Sequence, residues 1–217
     1  MVQLKSFIMI RIILLGIFLI IPFSCLFPQT TVSDKSLKFF NKTEAGVSFG
    51  IGSFKTDQVN GVQKKIRNDE IVIVFQTING FRYVDKLGIG VSIGVEKWQN
   101  GLFWPLYGFI SYDLKPADNT FYADLYLGYS FGTRYATTFY QEGHGGFGLS
   151  IGIGYKMKIA SKVKFMYEIF YRYQSIESSY YRYTDIKKDS GTVRTQTQVD
   201  YKIPLHFAGF KIGITIP

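Results

Sequence analysis

The sequence predicts an all-β chain, folded as an eight-stranded antiparallel up-and-down barrel that crosses a membrane. Three observations predict it. Apolar and polar residues alternate in segment after segment, glycine crowds onto the non-apolar face of that alternation, and most of the connections alternate between short turns and long polar stretches.

Bulk composition sets the frame for this reading. A chain of 217 residues is long enough for one all-β domain. Aromatic residues make up 18%, with 22 Gly and only 6 Pro, which suits strands and tight turns and argues against disorder. The formal net charge is +9. Removing Lys5 and Arg11 with an export signal leaves 23 basic against 16 acidic residues, a net of +7, so the mature protein is still basic.

Residues 1–29 read as that signal peptide. Lys5 and Arg11 provide a positive start, "IILLGIFLII" an apolar core, and Pro22 a break before "FSCLFPQ". The apolar run after Arg11 is shorter than the ~20 residues of a membrane-spanning helix. Cleavage is expected after Gln29, and the mature chain then holds no cysteine, since Cys25 leaves with the leader. Residues 30–42 read as a short lead, and 43–217 as the barrel.

Strands are expected at 43–54, 70–83, 87–98, 102–114, 120–133, 146–158, 163–177 and 197–216. Short turns follow the second, fourth and sixth ("VDK", "KPADN", "IASK"), and "QNG" after the third is short as well. Long polar connections follow the first, fifth and seventh. Turns on one side and mostly longer loops on the other are the pattern of a barrel with periplasmic turns and extracellular loops.

Which face meets lipid follows from composition. Along 146–156 one face carries Gly146, Gly148, Ser150, Gly152, Gly154 and Lys156, the other Phe147, Leu149, Ile151, Ile153 and Tyr155. A glycine-lined face packs poorly against solvent. Inside a narrow barrel it makes room for large side chains of opposite strands. The aliphatic faces with aromatic ends, and with them Val91, Ile93 and Val95, are therefore assigned to lipid. A soluble lipocalin-like barrel would turn the same faces inward.

"INGFRYVDKLGIGVSIG" (78–94), "LYLGYSFG" (125–132) and "GGFGLSIGIGYKMK" (145–158) resemble strands of small outer-membrane β-barrel proteins of the porin-family type in Gram-negative bacteria. Gly80, Phe81, Arg82 and Tyr83 match the run leading into the family's second hairpin, and Leu87, Gly88 and Gly90 match the strand leaving it. Val84 stands where Asn is common, and the chain ends "GITIP" where a terminal aromatic is usual. The resemblance implies the outer membrane and its assembly machinery, and it carries no catalytic signature.

Six charged residues fall on inward positions: Arg82, Glu96, Asp124, Lys156, Glu168 and Arg172. Charges in a water-poor interior need close partners, so they are expected to form a salt-bridged network that fills the barrel. A narrow channel or carrier for small or hydrophobic solutes is the alternative, with the same residues as its gate. A lipid A-modifying enzyme is a further alternative. It would need a histidine, His144 or His206, with an acid such as Glu142 and a serine such as Ser178 or Ser179. No local motif joins these residues, and two histidines lack the spacing of a metal site. The expectation is a protein that is not an enzyme and uses no cofactor or metal.

Two connections, 55–69 and 178–196, are basic. Lys64, Lys65 and Arg67 in the first, and Arg182, Lys187, Lys188 and Arg194 in the second, are candidate contacts for the phosphates of an anionic glycolipid. The expected partners are outer-membrane lipid and lipopolysaccharide, for a monomer with a structural or surface-interaction role. Export disfavours nucleic acid.

Overall fold

The computed structural model describes residues 37–57, 63–83, 86–99, 101–135, 142–188 and 191–216. The expected signal peptide lies outside them, as does 30–36 of the lead. Ten strands run in chain order: β1 (Lys38–Ile51), β2 (Ser53–Asp57), β3 (Gln63–Arg67), β4 (Ile71–Tyr83), β5 (Leu87–Trp98), β6 (Gly101–Asp113), β7 (Thr120–Tyr135), β8 (Glu142–Ala160), β9 (Val163–Lys188) and β10 (Gly191–Ile216). Eight of them, β1 and β4 to β10, close into one antiparallel barrel, and β2 and β3 form a separate hairpin.

Closure runs through β1, which pairs with β10 on one edge and β4 on the other. It removes the open edges whose unpaired backbone groups would each cost several kcal/mol in lipid. The alternation predicted from sequence is plainest in β6. Gly101, Phe103, Tyr107, Phe109, Ser111 and Asp113 are buried, while Leu102, Trp104, Leu106, Ile110 and Tyr112 face out. Ile89, Val91 and Ile93 of β5 are exposed, and Val95 is half-buried.

The outer surface is an aliphatic band between two aromatic girdles, the arrangement that membrane interfaces select. Val91, Ile93, Leu106, Leu127, Ile151, Ile153 and Ile169 form part of the band. At the end with the short turns, Phe121 stacks edge-on with Tyr155 (4.9 Å between ring centroids), and Tyr155 meets Tyr167 (5.9 Å). Toward the other end Tyr129 packs on Phe131 (4.9 Å) and Phe147 on Tyr173 (6.4 Å).

Three boundaries differ from expectation. The first strand begins at Lys38 rather than Thr43, so most of the 30–42 lead that is described already belongs to the barrel wall. The segment 55–69 is largely a β-hairpin rather than a loop, with Lys55 opposite Lys65. The segment 178–196 is also strand: β9 and β10 pair from Thr215↔Lys164 out to Gly191↔Lys188, well past the last β1 partner of β10, His206. Outside the membrane such a ribbon needs no apolar face, so polar runs such as "TQTQV" carry no alternation of the kind that marks a buried strand.

The β2–β3 hairpin folds back over the barrel mouth. The chain leaves β1 through Gly52, whose φ of 77° lies in the left-handed region that favours glycine. Gly50 N–H then donates to Glu70 O (2.7 Å) and Asn68 N–H to Gly52 O (3.0 Å), which ties the hairpin base to the rim.

Candidate functional site

The interior has two kinds of filling. Beneath the hairpin, Trp98, Phe103 and Phe207 pack around one another, with centroids 5.1 Å apart for each pair with Trp98. Val72, Val74, Ile176, Ile203 and Leu205 complete this apolar plug, and Phe54 and Ile66 of the hairpin join it from above. Below it the inward residues mix charged and polar side chains with a second apolar cluster of Phe40, Ile78, Tyr107, Phe109 and Tyr126.

The upper ionic group is built on β5 and β9. Arg172 Nη2 donates to Glu96 Oε2 (2.6 Å), to Gln174 Oε1 (2.7 Å) and to Tyr107 Oη (3.1 Å). Tyr107 and Ser130 share a hydrogen bond of 2.7 Å, and Gln174 Nε2 donates to the Gly146 carbonyl (2.9 Å). Trp98 Nε1 reaches down to Glu96 Oε2 (3.4 Å), joining the plug to the ionic layer.

The central group gathers three carboxylates, Glu44, Asp124 and Glu168, whose oxygens lie within 4.8 Å of one another. Lys42 Nζ is paired with Glu44 and Asp124 and lies 3.6 Å from Glu168. Lys211 Nζ holds Glu168 at 2.8 Å and Glu44 at 3.4 Å. Gln76 and Tyr126 each donate to Glu44 Oε2 at 2.8 Å, and Lys211 lies over the Tyr126 ring at 4.1 Å. The Lys42 ammonium thus sits against all three carboxylates.

The lowest group is a triad in which Asp113 is shared by Arg82 and Lys156. Lys156 lies over the Tyr122 ring (4.5 Å), and the Arg82 guanidinium over Phe40 (5.4 Å).

All six charges expected inside do point inward, although they do not form one network. Glu96 and Arg172 pair directly, Arg82 and Lys156 meet through Asp113, and Asp124 and Glu168 meet through Lys42. The connecting residues Lys42, Glu44, Asp113 and Lys211 were not singled out from sequence. Strand parity places Glu44, Asp113 and Lys211 on inward positions, whereas Lys42 preceded the expected start of the first strand. Together the ten residues comprise five bases and five acids, and this balance is what a low-dielectric interior demands. A small space of about 20 Å³, lined in part by Glu96, Arg172 and Lys211, lies beside the upper and central groups, the size of a single water.

The glycine face makes this filling possible, largely by giving way to adjacent strands rather than opposite ones. A Cβ at Gly152 would stand 2.1 Å from Glu168 Oε1 of the neighbouring β9, and one at Gly154 would stand 2.5 Å from the Tyr122 ring of β7.

The candidate catalytic residues lie on β8, β9 and β10. His206 accepts or donates a 2.6 Å hydrogen bond with Tyr171 Oη on the outer face and stacks on that ring. Across β8 and β9 the backbone sets Glu142 opposite Ser179, Gly143 opposite Ser178 and His144 opposite Glu177. The side chains of Glu142, Ser178 and Ser179 lie outside the described residues. Among the basic candidates, Lys65 and Arg67 are exposed on the hairpin. The side chains of Lys64, Arg182, Lys187, Lys188 and Arg194 lie outside the described residues.

No protein-family model and no curated protein matches the chain. Solved structures do. The outer membrane protein OprG from Pseudomonas aeruginosa is 13% identical, with a TM-score of 0.50 over 82% of this chain and 96% of that one. Neisserial surface protein A is 12% identical, with a TM-score of 0.49 over 84% and 99%. At these identities the likeness is one of fold. A closed eight-stranded barrel with a girdled apolar exterior, the chain has the fold of outer-membrane barrels.

Proposed function

We propose that this protein is a sealed, non-enzymatic barrel with a structural or surface-interaction role, its basic extracellular residues meeting the phosphates of lipopolysaccharide. One observation carries the reading: the cross-section is filled by ion pairs of balanced charge beneath an apolar plug. Moving a solute through would require separating buried partners, and each broken pair costs several kcal/mol. Lys65 and Arg67 on the hairpin, with Lys64, Arg182, Lys187, Lys188 and Arg194, are the assigned glycolipid contacts, acting through charge-assisted hydrogen bonds.

Single-channel recording in planar bilayers tests the seal. The purified barrel is expected to give no conductance steps, and regular steps from the folded protein would favour the narrow-channel alternative. For His206 the enzyme alternative finds less support, because among the described residues its hydrogen-bond partner is a tyrosine rather than a serine or an acid. Mass spectra of lipid A are expected to be the same with and without the protein.

A further inference from the structure

The barrel end that carries the start of β1, the end of β10 and the short turns opens into a pocket of about 440 Å³, within the range that holds small ligands. Phe40, Pro116 and Ala117 contribute to its apolar wall, and Arg82 and Asp113 also line it. Lys164 belongs to the lining as well, and its ammonium donates to the Ala117 carbonyl (3.1 Å), holding the β6–β7 turn in place. In an outer-membrane barrel this end faces the periplasm.

Charge at the pocket is unbalanced. Arg82 and Lys156 share a single carboxylate, Asp113, so this triad carries one positive charge in excess. The central group, with Glu44, Asp124 and Glu168 against Lys42 and Lys211, carries one negative charge in excess. The interior therefore balances only in total, and its positive end is the one exposed to the pocket. Among the described residues, Arg82 is also undersupplied with acceptors. A guanidinium has five N–H donors, and among the described residues its hydrogen bond goes to Asp113. Its planar group is oriented by Phe40, and its side chain keeps 16% of its surface accessible.

We propose that this pocket binds the terminal carboxylate of a short, partly apolar periplasmic ligand such as a peptide. The carboxylate accepts from the remaining N–H groups of Arg82, in the fork geometry that guanidinium offers and ammonium does not. The apolar body lies on Pro116 and Ala117 beside Phe40, and Lys164 adds charge at the rim. Two sources supply this chemistry in the periplasm: the stem peptides of the cell wall and the C-terminal ends of proteins.

The test is isothermal titration of the purified full-length barrel in detergent micelles. Three probes are compared: a peptidoglycan stem tetrapeptide, N-acetyl-Ala-Phe with a free carboxylate, and the same dipeptide as its C-terminal amide. Saturable binding is expected for at least one free carboxylate. The amide and the Arg82→Gln variant are each expected to weaken binding tenfold or more. Arg82→Gln leaves Asp113 paired with Lys156, so the folded barrel is expected to persist, and its heat-dependent gel shift reports this. Should that variant not fold, Lys164→Gln in an otherwise intact barrel is expected to weaken binding severalfold. Preference for the stem peptide assigns the cell wall as source, and equal binding of both acids assigns carboxylate ends in general. Equal binding of acid and amide, no saturation by either acid, or unchanged affinity in folded Arg82→Gln would overturn the proposal.

Discussion

The upper and lower halves of the barrel interior solve the same packing problem in different ways. Above, Trp98, Phe103, Phe207 and their neighbours fill the lumen with apolar surface that the hairpin closes from outside. Below, ten charged side chains in pairs and shared groups fill it around a smaller apolar cluster of Phe40, Ile78, Tyr107, Phe109 and Tyr126. Apolar filling tolerates exchange as long as volume is kept. Ionic filling tolerates little, because each charge is stable only while its partner is present. The lower half should therefore be the brittle one, and substitutions in the two halves can show whether it is.

The largest effect is expected at Lys42. Lys42→Met leaves Glu44, Asp124 and Glu168 facing one another with only Lys211 to offset them. Breaking a buried ionic group of this kind costs about 3–5 kcal/mol. Urea titration of the barrel refolded into lipid vesicles should show a correspondingly lower midpoint or no folded barrel. A midpoint close to wild type would mean that the central group is hydrated and the contrast between the halves is false.

Gly152→Ala comes next, because its Cβ would stand 2.1 Å from the Glu168 carboxylate and push it off Lys211. Overpacking typically costs about 1–3 kcal/mol. In the upper half, Leu205→Met keeps the volume of the plug and is expected to cost less than about 1.5 kcal/mol. If Leu205→Met proved more damaging than Gly152→Ala in the same urea titration, the plug rather than the ionic groups would be the fragile element.

These two halves were unequally legible in the sequence. Parity along each strand put Arg82, Glu96, Asp124, Lys156, Glu168 and Arg172 inside, since a charged residue breaking the glycine and serine face has nowhere else to point. Which charges meet depends on register and stagger between strands far apart in sequence, as with Lys42 and Asp124, and no local pattern encodes that. The apolar plug was harder to see. In "IVIVF" (71–75) both faces are apolar, because Val72 and Val74 fill the plug while Ile71, Ile73 and Phe75 face lipid. A continuous apolar run carries no sign of which face is which. The long β9–β10 ribbon was missed for the opposite reason: it leaves the membrane, and with it the only environment that enforces alternation.

The smallest effect belongs outside both halves, in the exposed β6–β7 turn. Asp118 Oδ2 accepts from Lys158 Nζ at 2.9 Å, and this bond holds its carboxyl below the usual carboxylate range. A group whose pKa is lowered on folding contributes stability above its unfolded value and loses it as pH falls through the folded one. Asp118 is fully exposed, so water and salt screen most of that contribution. Asp118→Asn should therefore leave the urea midpoint at neutral pH almost unchanged, and should slightly flatten its fall on acidification. Paired titrations at neutral and acid pH, at low and high salt, check this. A large loss at neutral pH would give the turn a role in closing the periplasmic mouth, because Asp118 also lines the pocket beside Arg82 and Lys164. A negligible loss would leave the balance of the ten interior charges as the electrostatic term that decides whether this barrel holds.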